Sequence, residues 1–118
     1  MPKSYGRNER VAASIRRETA DILQHELKDP RVKDATVTEV DVSPDLRSAR
    51  IYISFLTDDE EAIKAAMKGL NNSKGFVRST LAGRLNLRYM PALEFKYDDL
   101  PSKSMHLDAL IKKGLHKD

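Results

Sequence analysis

Hydrophobic residues recur at helical spacing in the first quarter of the chain. The recurring positions are Val11, Ile15, Ile22 and Leu23. This spacing predicts an amphipathic helix with one buried face. Asn8 is a suitable N-cap. The Asp29-Pro30 pair should end the helix, because the residue before a proline disfavours the helical region.

Two segments of alternating apolar and polar residues follow, at residues 36–42 and 49–55. Their apolar face is predicted to carry Thr38, Val40 and Val42 from the first segment and Ile51, Ile53 and Phe55 from the second. Residues 43–48 supply turn-forming side chains, so the two segments are predicted to pair as an antiparallel hairpin. The apolar face of that hairpin has to be covered by helices.

Helical spacing returns twice between residues 57 and 85. Thr57 and Glu60 match the capping-box pattern of a helix start. The second predicted helix has an apolar stripe of Ala62, Ile63, Ala66, Met67 and Leu70. The third has an apolar arc of Phe76, Val77, Thr80, Leu81 and Leu85. The polar pair at residues 71–72 separates the two helices.

A third strand is predicted to begin at Pro91. Leu93, Phe95 and Tyr97 alternate with charged residues there, which is typical of a strand with one buried face. The predicted order is therefore helix, strand, strand, helix, helix, strand. The fold class is α+β, with the helices on one face of a three-stranded sheet.

The length of 118 residues allows one hydrophobic core. We expect a single domain over residues 1–118, with its core at residues 7–98. Residues 1–6 should form a mobile polar lead-in. Residues 99–118 are either a short last helix or a loosely attached tail.

Composition excludes several classes of protein. Without cysteine, the chain has neither disulfides nor a thiolate metal site. The first residues are polar and basic, unlike a signal peptide, and no stretch is apolar enough for a membrane span. We expect a soluble, cytoplasmic monomer.

Motifs of enzymatic chemistry are missing from the sequence. His25, His106 and His116 lie far apart and lack the spacing of metal ligands. No Gly-rich phosphate loop and no G-x-S-x-G elbow occurs. We predict no enzymatic activity, no metal and no cofactor.

The distribution of charge says more than the net charge of +3. No acidic residue occurs within residues 71–93. The cations of this interval are Lys74, Arg78, Arg84 and Arg88. Basic side chains and free N–H groups at a helix start suit an anionic partner, so we interpret the interval as a nucleic-acid contact. The alternative is that these cations are ordinary charges on a helix surface.

Two features complicate the charge pattern. Arg84 projects into the apolar arc of the third predicted helix, so that helix ends or bends near Gly83, or Arg84 snorkels from a packed face. Arg10 and Arg17 share the polar face of the first helix. Alone they indicate a solvated surface, and a second basic element nearby would favour a joint interface.

The predicted order of elements is that of a type II KH domain, and the residues resemble bacterial ribosome-binding factor A. The matching pieces are, in order, Arg7-x-x-Arg10-Val11, Asp29-Pro30-Arg31, Val40-x-Val42-Ser43-x-Asp45-Leu46 with Ala49, Leu70, Lys74-Gly75-Phe76-Val77-Arg78, Leu81-Ala82, Leu85, Leu87-Arg88, Pro91-x-Leu93-x-Phe95 and Asp98. Each piece is weak alone, but the ordered series is specific.

The resemblance implies a cytoplasmic assembly factor that binds the small (30S) ribosomal subunit during late maturation of 16S rRNA. Members of this family carry an A-x-G kink where other KH domains have a G-x-x-G loop. The equivalent here is Ser73-Lys74-Gly75, and we expect the kink to persist because serine is small and can cap a helix. The predicted RNA contacts are Lys74, Arg78, Arg84 and Arg88, with Arg7, Arg10 and Arg17 as a second row, while Ser73 and Gly75 shape the backbone.

Two alternatives to this function stay open. One is a protein-interaction module, in which the sheet or a basic helix docks another assembly factor. The other is a general RNA-binding KH-like protein that acts outside the ribosome, against which the missing G-x-x-G loop argues. Salt dependence separates RNA binding from protein docking, because phosphate contacts weaken steeply as counterions compete.

Overall fold

The computed structural model describes residues 6–98, and all structural statements below concern that range. Its elements are α1 (Arg7–His25), a short 3-10 turn (Pro30–Val32), β1 (Thr36–Val42), β2 (Ser48–Ser54), α2 (Glu60–Asn72), α3 (Lys74–Arg84) and β3 (Ala92–Tyr97). The predicted order of helices and strands is confirmed. Most of the predicted lead-in and the whole predicted C-terminal helix or tail lie outside the described residues.

The three strands form one mixed sheet in the order β1-β2-β3. β1 and β2 are antiparallel, with Val40 opposite Ile51. β2 and β3 are parallel, with Ile51 opposite Phe95 and Ser48 opposite Ala92. Parallel neighbours need a crossover connection, and α2 and α3 supply it. The α+β class is confirmed.

The core lies between the sheet and the helices that cover one of its faces. Its fully buried large apolar side chains are Ile15, Ile22, Val32, Ile51, Ile53, Leu70, Val77, Leu81 and Pro91. The predicted stripe of α1 is buried as expected. On α3, Val77 and Leu81 are buried, but Phe76 of the predicted arc is 47% exposed. The opposite face of the sheet is polar, with Arg50 in an ion pair with Glu94.

The prediction that Thr38 faces the core is wrong. The β1–β2 register shifts between Val37 and Glu39, which is a bulge that re-aims the side chains before Val40. Val37 is therefore buried. The Thr38 hydroxyl donates instead to Asp98 Oδ2 at 2.6 Å. This hydrogen bond satisfies a hydroxyl group that would lose its hydration without a partner in the core.

The predicted bounds of α1 are also corrected. The N-cap is Gly6 and not Asn8, because the Gly6 N–H donates to Glu9 Oε1 at 3.0 Å. Asn8 donates to the Val42 carbonyl at 3.1 Å and so ties α1 to the end of β1. The helix ends at His25, well before Asp29.

Asp29 and Pro30 open the 3-10 turn instead of closing α1. Asp29 Oδ1 accepts a hydrogen bond from the Arg31 N–H at 2.9 Å, and Pro30 has no N–H to leave unpaired at the first position of the turn. Proline thus starts one element here and does not mark the last residue of another.

Two further element starts differ from the prediction. The N-cap of α2 is Asp59, whose carboxylate accepts from the Glu61 N–H. The Thr57 hydroxyl accepts a hydrogen bond from the Asp59 N–H at 3.0 Å. Thr57 therefore lies two residues before the N-cap and holds the N-cap residue in place. β3 begins at Ala92 and not at Pro91, because the ladder needs an N–H that proline lacks.

The core contains a buried threonine whose hydroxyl group is not hydrogen-bonded within the described residues. Thr19 is 0% exposed, and its hydroxyl has no hydrogen-bond partner among the described residues. A buried hydroxyl without a partner loses the free energy of its hydration.

We expect Thr19→Val to raise the free energy of unfolding by about 1 kcal/mol, because it removes that unpaired hydroxyl. Thr80→Val is the matched control, since the Thr80 hydroxyl donates to the Phe76 carbonyl at 2.9 Å. Urea unfolding monitored by circular dichroism measures both. A larger loss of stability in Thr19→Val than in Thr80→Val would contradict the unpaired state of Thr19.

α2 lies very close to the 3-10 turn at Gly69. A Cβ atom there would be 2.8 Å from Asp29 Oδ2 and 3.3 Å from Arg31 Nε. Asp29 and Arg31 form an ion pair with 2.6 Å between Oδ2 and Nη2. Any side chain at residue 69 therefore has to displace this pair.

We expect Gly69→Ala to raise the free energy of unfolding less than Gly83→Ala does, because the added methyl group first has to push aside the side-chain ends of Asp29 and Arg31. Gly83→Ala is the control, since a Cβ at Gly83 meets nothing within 4 Å. It should gain about 0.5–1 kcal/mol from helix propensity. Equal gains for both variants in urea unfolding would disprove the close approach at Gly69.

Candidate nucleic-acid interface

A concave surface of about 730 Å³ lies between the start of α1, the β1–β2 turn and the α3–β3 loop. Four arginines line it: Arg7, Arg47, Arg78 and Arg88. Its apolar lining includes Val11, Leu46, Leu87 and Met90. We call this surface, defined by its four arginines, the arginine groove.

The β1–β2 turn places Arg47 in the groove. Ser43 and Ser48 close the turn, with the Ser43 N–H donating to the Ser48 carbonyl at 2.9 Å. Asp45 Oδ1 accepts from the Ser43 hydroxyl at 2.7 Å and from the Arg47 N–H at 3.1 Å. The Arg47 carbonyl in turn accepts from the Ala92 N–H at 2.9 Å. This last bond pins the turn to the start of β3.

Leu46 carries the turn through an unusual backbone conformation. Its φ is 62°, in the left-handed region that side chains other than glycine, asparagine and aspartate seldom adopt. Its half-buried side chain packs against the core and lines the groove. Strained residues of this kind concentrate at functional sites, and here the strain aims an apolar side chain at the groove.

Arg78 lines the side of the groove formed by α3 and the α3–β3 loop. It extends from α3, donating from Nε to the Pro91 carbonyl at 3.1 Å and from Nη2 to the Met90 carbonyl at 2.7 Å. Arg78 therefore both adds positive charge and fixes the loop that leads into β3.

Arg88 and Tyr89 stand on that loop. The Arg88 Cζ lies 5.7 Å from the centroid of the Tyr89 ring, within the range of a cation–π contact. Tyr89 is 73% exposed. The loop thus presents an aromatic ring and a guanidinium group at the rim of the groove.

The groove is electropositive because its arginines outnumber its carboxylates. Asp45 is the acidic residue in its lining, against four arginines. Hydrogen bonds from the Ser43 hydroxyl and the Arg47 N–H lower the pKa of Asp45, so it stays ionised and bound to its own turn. Among residues 6–98, none of the ion pairs involves Arg7, Arg47 or Arg88. Such a surface suits a phosphate-bearing partner.

Comparison with known proteins identifies the family. The family model described as ribosome-binding factor A matches residues 7–111. A curated protein named ribosome-binding factor A from Nitrosococcus oceani is 42% identical over 118 residues, covering 100% of this chain and 92% of that relative. Another from Shewanella sediminis is 36% identical over 118 residues, covering 100% of this chain and 82% of the relative.

The chain belongs to the ribosome-binding factor A family. Solved structures agree with this assignment. The crystal structure of ribosome-binding factor A from Thermus thermophilus matches with a TM-score of 0.67 and 29% identity, covering 79% of this chain and 97% of that one. A homology model of the Thermus thermophilus protein, fitted into a cryo-EM map of its 30S complex, matches with a TM-score of 0.63 and 28% identity, covering 75% and 91% of the two chains.

The structure of this family member brings together three of the cations predicted from sequence. Arg7, Arg78 and Arg88 meet in the arginine groove although they belong to distant segments. Arg47 joins them and was not predicted. Arg47 lies inside a turn-forming segment, where the local pattern indicates a turn and gives no sign of a binding site.

The other predicted arginines of α1 lie elsewhere. Arg10 lines a separate shallow groove between α1 and β1, together with Arg16. Arg17 is highly exposed, with its Nε 3.6 Å from Glu18 Oε2. The predicted second row is therefore divided, because only Arg7 points toward the loop before β3.

The α2–α3 junction falls at Ser73, close to the predicted kink. Ser73 is both the C-cap of α2 and the N-cap of α3, without a side-chain cap hydrogen bond. The expected capping by its hydroxyl is therefore wrong. A Cβ at Gly75 would meet nothing within 4 Å, so the described fold imposes no steric need for glycine there. Neither Ser73, Lys74 nor Gly75 lines the arginine groove.

Arg84 is engaged by two acidic residues of α1 and by Glu26, the C-cap of that helix. Its Nη1 lies 2.9 Å from Glu18 Oε1 and 2.7 Å from Asp21 Oδ2, and its Nη2 lies 3.4 Å from Glu26 Oε2. The α3 helix ends at Arg84, as one sequence interpretation proposed. The Arg84 guanidinium, followed by His25, lowers the pKa of Asp21. Arg84 joins the end of α3 to α1, and RNA contact by Arg84 stays a prediction.

We expect Arg84→Met to lower the urea midpoint at pH 7, because it leaves three carboxylates without their shared cation. The lowered pKa of Asp21 makes this contribution present above its ordinary value of 3.8, and it is lost as pH falls through the lower folded value. The difference between Arg84→Met and wild type should therefore shrink below pH 3.8.

The matched control for this effect is Arg17→Met, at a side chain that is 69% exposed. It should leave the midpoint nearly unchanged at either pH, because exposed pairs contribute little. His25 Nδ1 also lies 2.9 Å from Asp21, and it is present in every variant. An Arg84→Met deficit that is equally large at pH 7 and in acid would contradict the ion-pair explanation.

Proposed function

We propose that the chain is an assembly factor that binds the small (30S) ribosomal subunit in the cytoplasm and assists late maturation of 16S rRNA. Family membership supports this proposal, as does the 30S complex of the Thermus thermophilus relative. Within residues 6–98, no helix is long and apolar enough to cross a membrane.

The observation that carries the proposal is the arginine groove. Three of its arginines make no ion pair within the described part of the chain, and the fourth, Arg78, donates to backbone carbonyls. Their charges are therefore available to phosphates. Arginines brought together from separate segments of the chain are an arrangement that stabilises an RNA backbone by charge-assisted hydrogen bonds.

Binding in this proposal is electrostatic and shape-dependent. Without a G-x-x-G loop, the domain does not clamp a single-stranded tetranucleotide in the manner of other KH domains. Phosphate contacts fix the position of the protein, and the shape of the RNA decides where the groove fits. The factor acts by binding and carries out no catalytic step.

The salt dependence of subunit binding tests this function. The dissociation constant for purified small subunits is measured by sedimentation across a series of salt concentrations. The logarithm of the affinity should fall linearly with the logarithm of salt concentration. Affinity that does not change with salt, or absence of binding at low salt, would overturn the proposal and favour a protein-docking module.

Single arginine variants locate the contact. Arg47→Gln and Arg88→Gln should each reduce the salt slope by about 0.7–0.9, the amount for one lost phosphate contact. The control is Arg50→Gln on the opposite face of the sheet, where Arg50 pairs with Glu94, and its slope should equal that of wild type. If Arg50→Gln alone reduced the slope, the outer sheet face and not the groove would be the contact.

A further inference from the structure

Tyr89 is the most exposed tyrosine of the described chain. It is 73% exposed, whereas Tyr97 is 38% exposed and stacks on Phe55 with ring centroids 6.1 Å apart. Its neighbours Leu87 and Met90 pack against the core. An exposed aromatic ring does not gain the hydrophobic free energy that burial would provide. The packing of the described fold therefore does not explain why a tyrosine stands at this position.

The ring of Tyr89 has a face available for stacking. The Arg88 guanidinium lies over the ring at 5.7 Å, and the high exposure of Tyr89 leaves the rest of the ring open. Aromatic faces of this kind stack on unpaired bases, and the stacking tolerates any base.

The loop beneath Tyr89 is held in place before any partner binds. Arg78 fixes the carbonyls of Met90 and Pro91, and the Ala92 N–H is bonded to the Arg47 carbonyl. An anchored loop loses less conformational entropy on binding than a free one. The ring is therefore presented on a fixed support.

The size of the groove favours an unpaired nucleotide over a duplex. Its volume of about 730 Å³ lies within the range of about 300–1,000 Å³ that suits a small ligand. A duplex keeps its base faces stacked inside the helix, where a side chain cannot reach them, whereas a splayed-out base can enter a concave site. The apolar part of the lining, with Tyr89, would contact the base, and the arginines would contact its phosphates.

We propose that the arginine groove accepts one unpaired RNA nucleotide, whose base stacks on Tyr89 while its phosphates lie against Arg7 and Arg47. This inference rests on the proposed function and adds to it a requirement for single-stranded RNA at the contact. Binding would then select a subunit whose contacted segment is not yet paired or stacked.

Two substitutions at Tyr89 test the inference on the full chain with purified small subunits. Tyr89→Ala should weaken binding by about 5- to 100-fold, the loss expected for one stacked base. Tyr89→Phe keeps the ring and should bind like wild type. The control is Tyr52→Ala, on the polar face of the sheet, which should also bind like wild type. Circular dichroism melts establish that each variant is folded.

Ultraviolet crosslinking gives a second, independent measurement. Wild-type protein is irradiated on small subunits, and the crosslinked nucleotide is mapped by stops of reverse transcription. A crosslink that needs Tyr89 and falls on an unpaired nucleotide supports the inference. A crosslink that falls on a base-paired nucleotide, or on a ribosomal protein instead of RNA, overturns it.

The outcomes separate this inference from the proposed function. If Tyr89→Ala binds subunits like wild type while Arg47→Gln reduces the salt slope, stacking is disproved and the function stands. If Tyr89→Phe is as weak as Tyr89→Ala, the hydroxyl group and not the ring makes the contact, and stacking is disproved again. If the wild-type protein binds no small subunits, the function itself fails.

Discussion

The parallel pairing of β3 with β2 is the constraint on which the rest of this structure depends. Parallel neighbours cannot be joined by a tight turn, so the chain crosses over through α2 and α3. That crossover provides two of the three helices that cover the core. It also sets the start of β3 beside the start of β2, where Ser48 lies opposite Ala92. The β1–β2 turn and the α3–β3 loop consequently become neighbours, and the arginine groove forms between them.

Neighbouring side chains divide the arginines of this protein into two groups. Arg84 faces two carboxylates of α1 and that of its C-cap, and so joins two helices. Arg88 follows four residues later in the sequence and lies on a loop beside the exposed ring of Tyr89. Both residues belong to the same acid-free interval, so charge alone does not distinguish them. The partners that the fold supplies decide which cation stabilises the protein and which is available to RNA.

Periodicity predicted the elements well and their ends poorly. The apolar stripe of α1 and the alternation in β2 and β3 depend on burial, which repeats at the period of each element. Helix ends depend on single hydrogen bonds, such as the one from Gly6 to Glu9, and several residues nearby could make an equivalent bond. The bulge after Val37 could not be predicted from the pattern either. A shift of register is defined by the residues of the partner strand, which the local pattern does not contain.

The sequence by itself determined the order of elements, the family and the positively charged character of the segment before β3. These properties follow from composition and from local spacing, and both can be read along the chain. Only the tertiary structure decided that Arg47 and Tyr89 share a site with Arg7. These residues are far apart in sequence. The β2–β3 register brings Arg47 beside Tyr89, and the packing of α1 against the sheet adds Arg7. Contact across a sheet depends on which strands pair, and no local pattern encodes that choice.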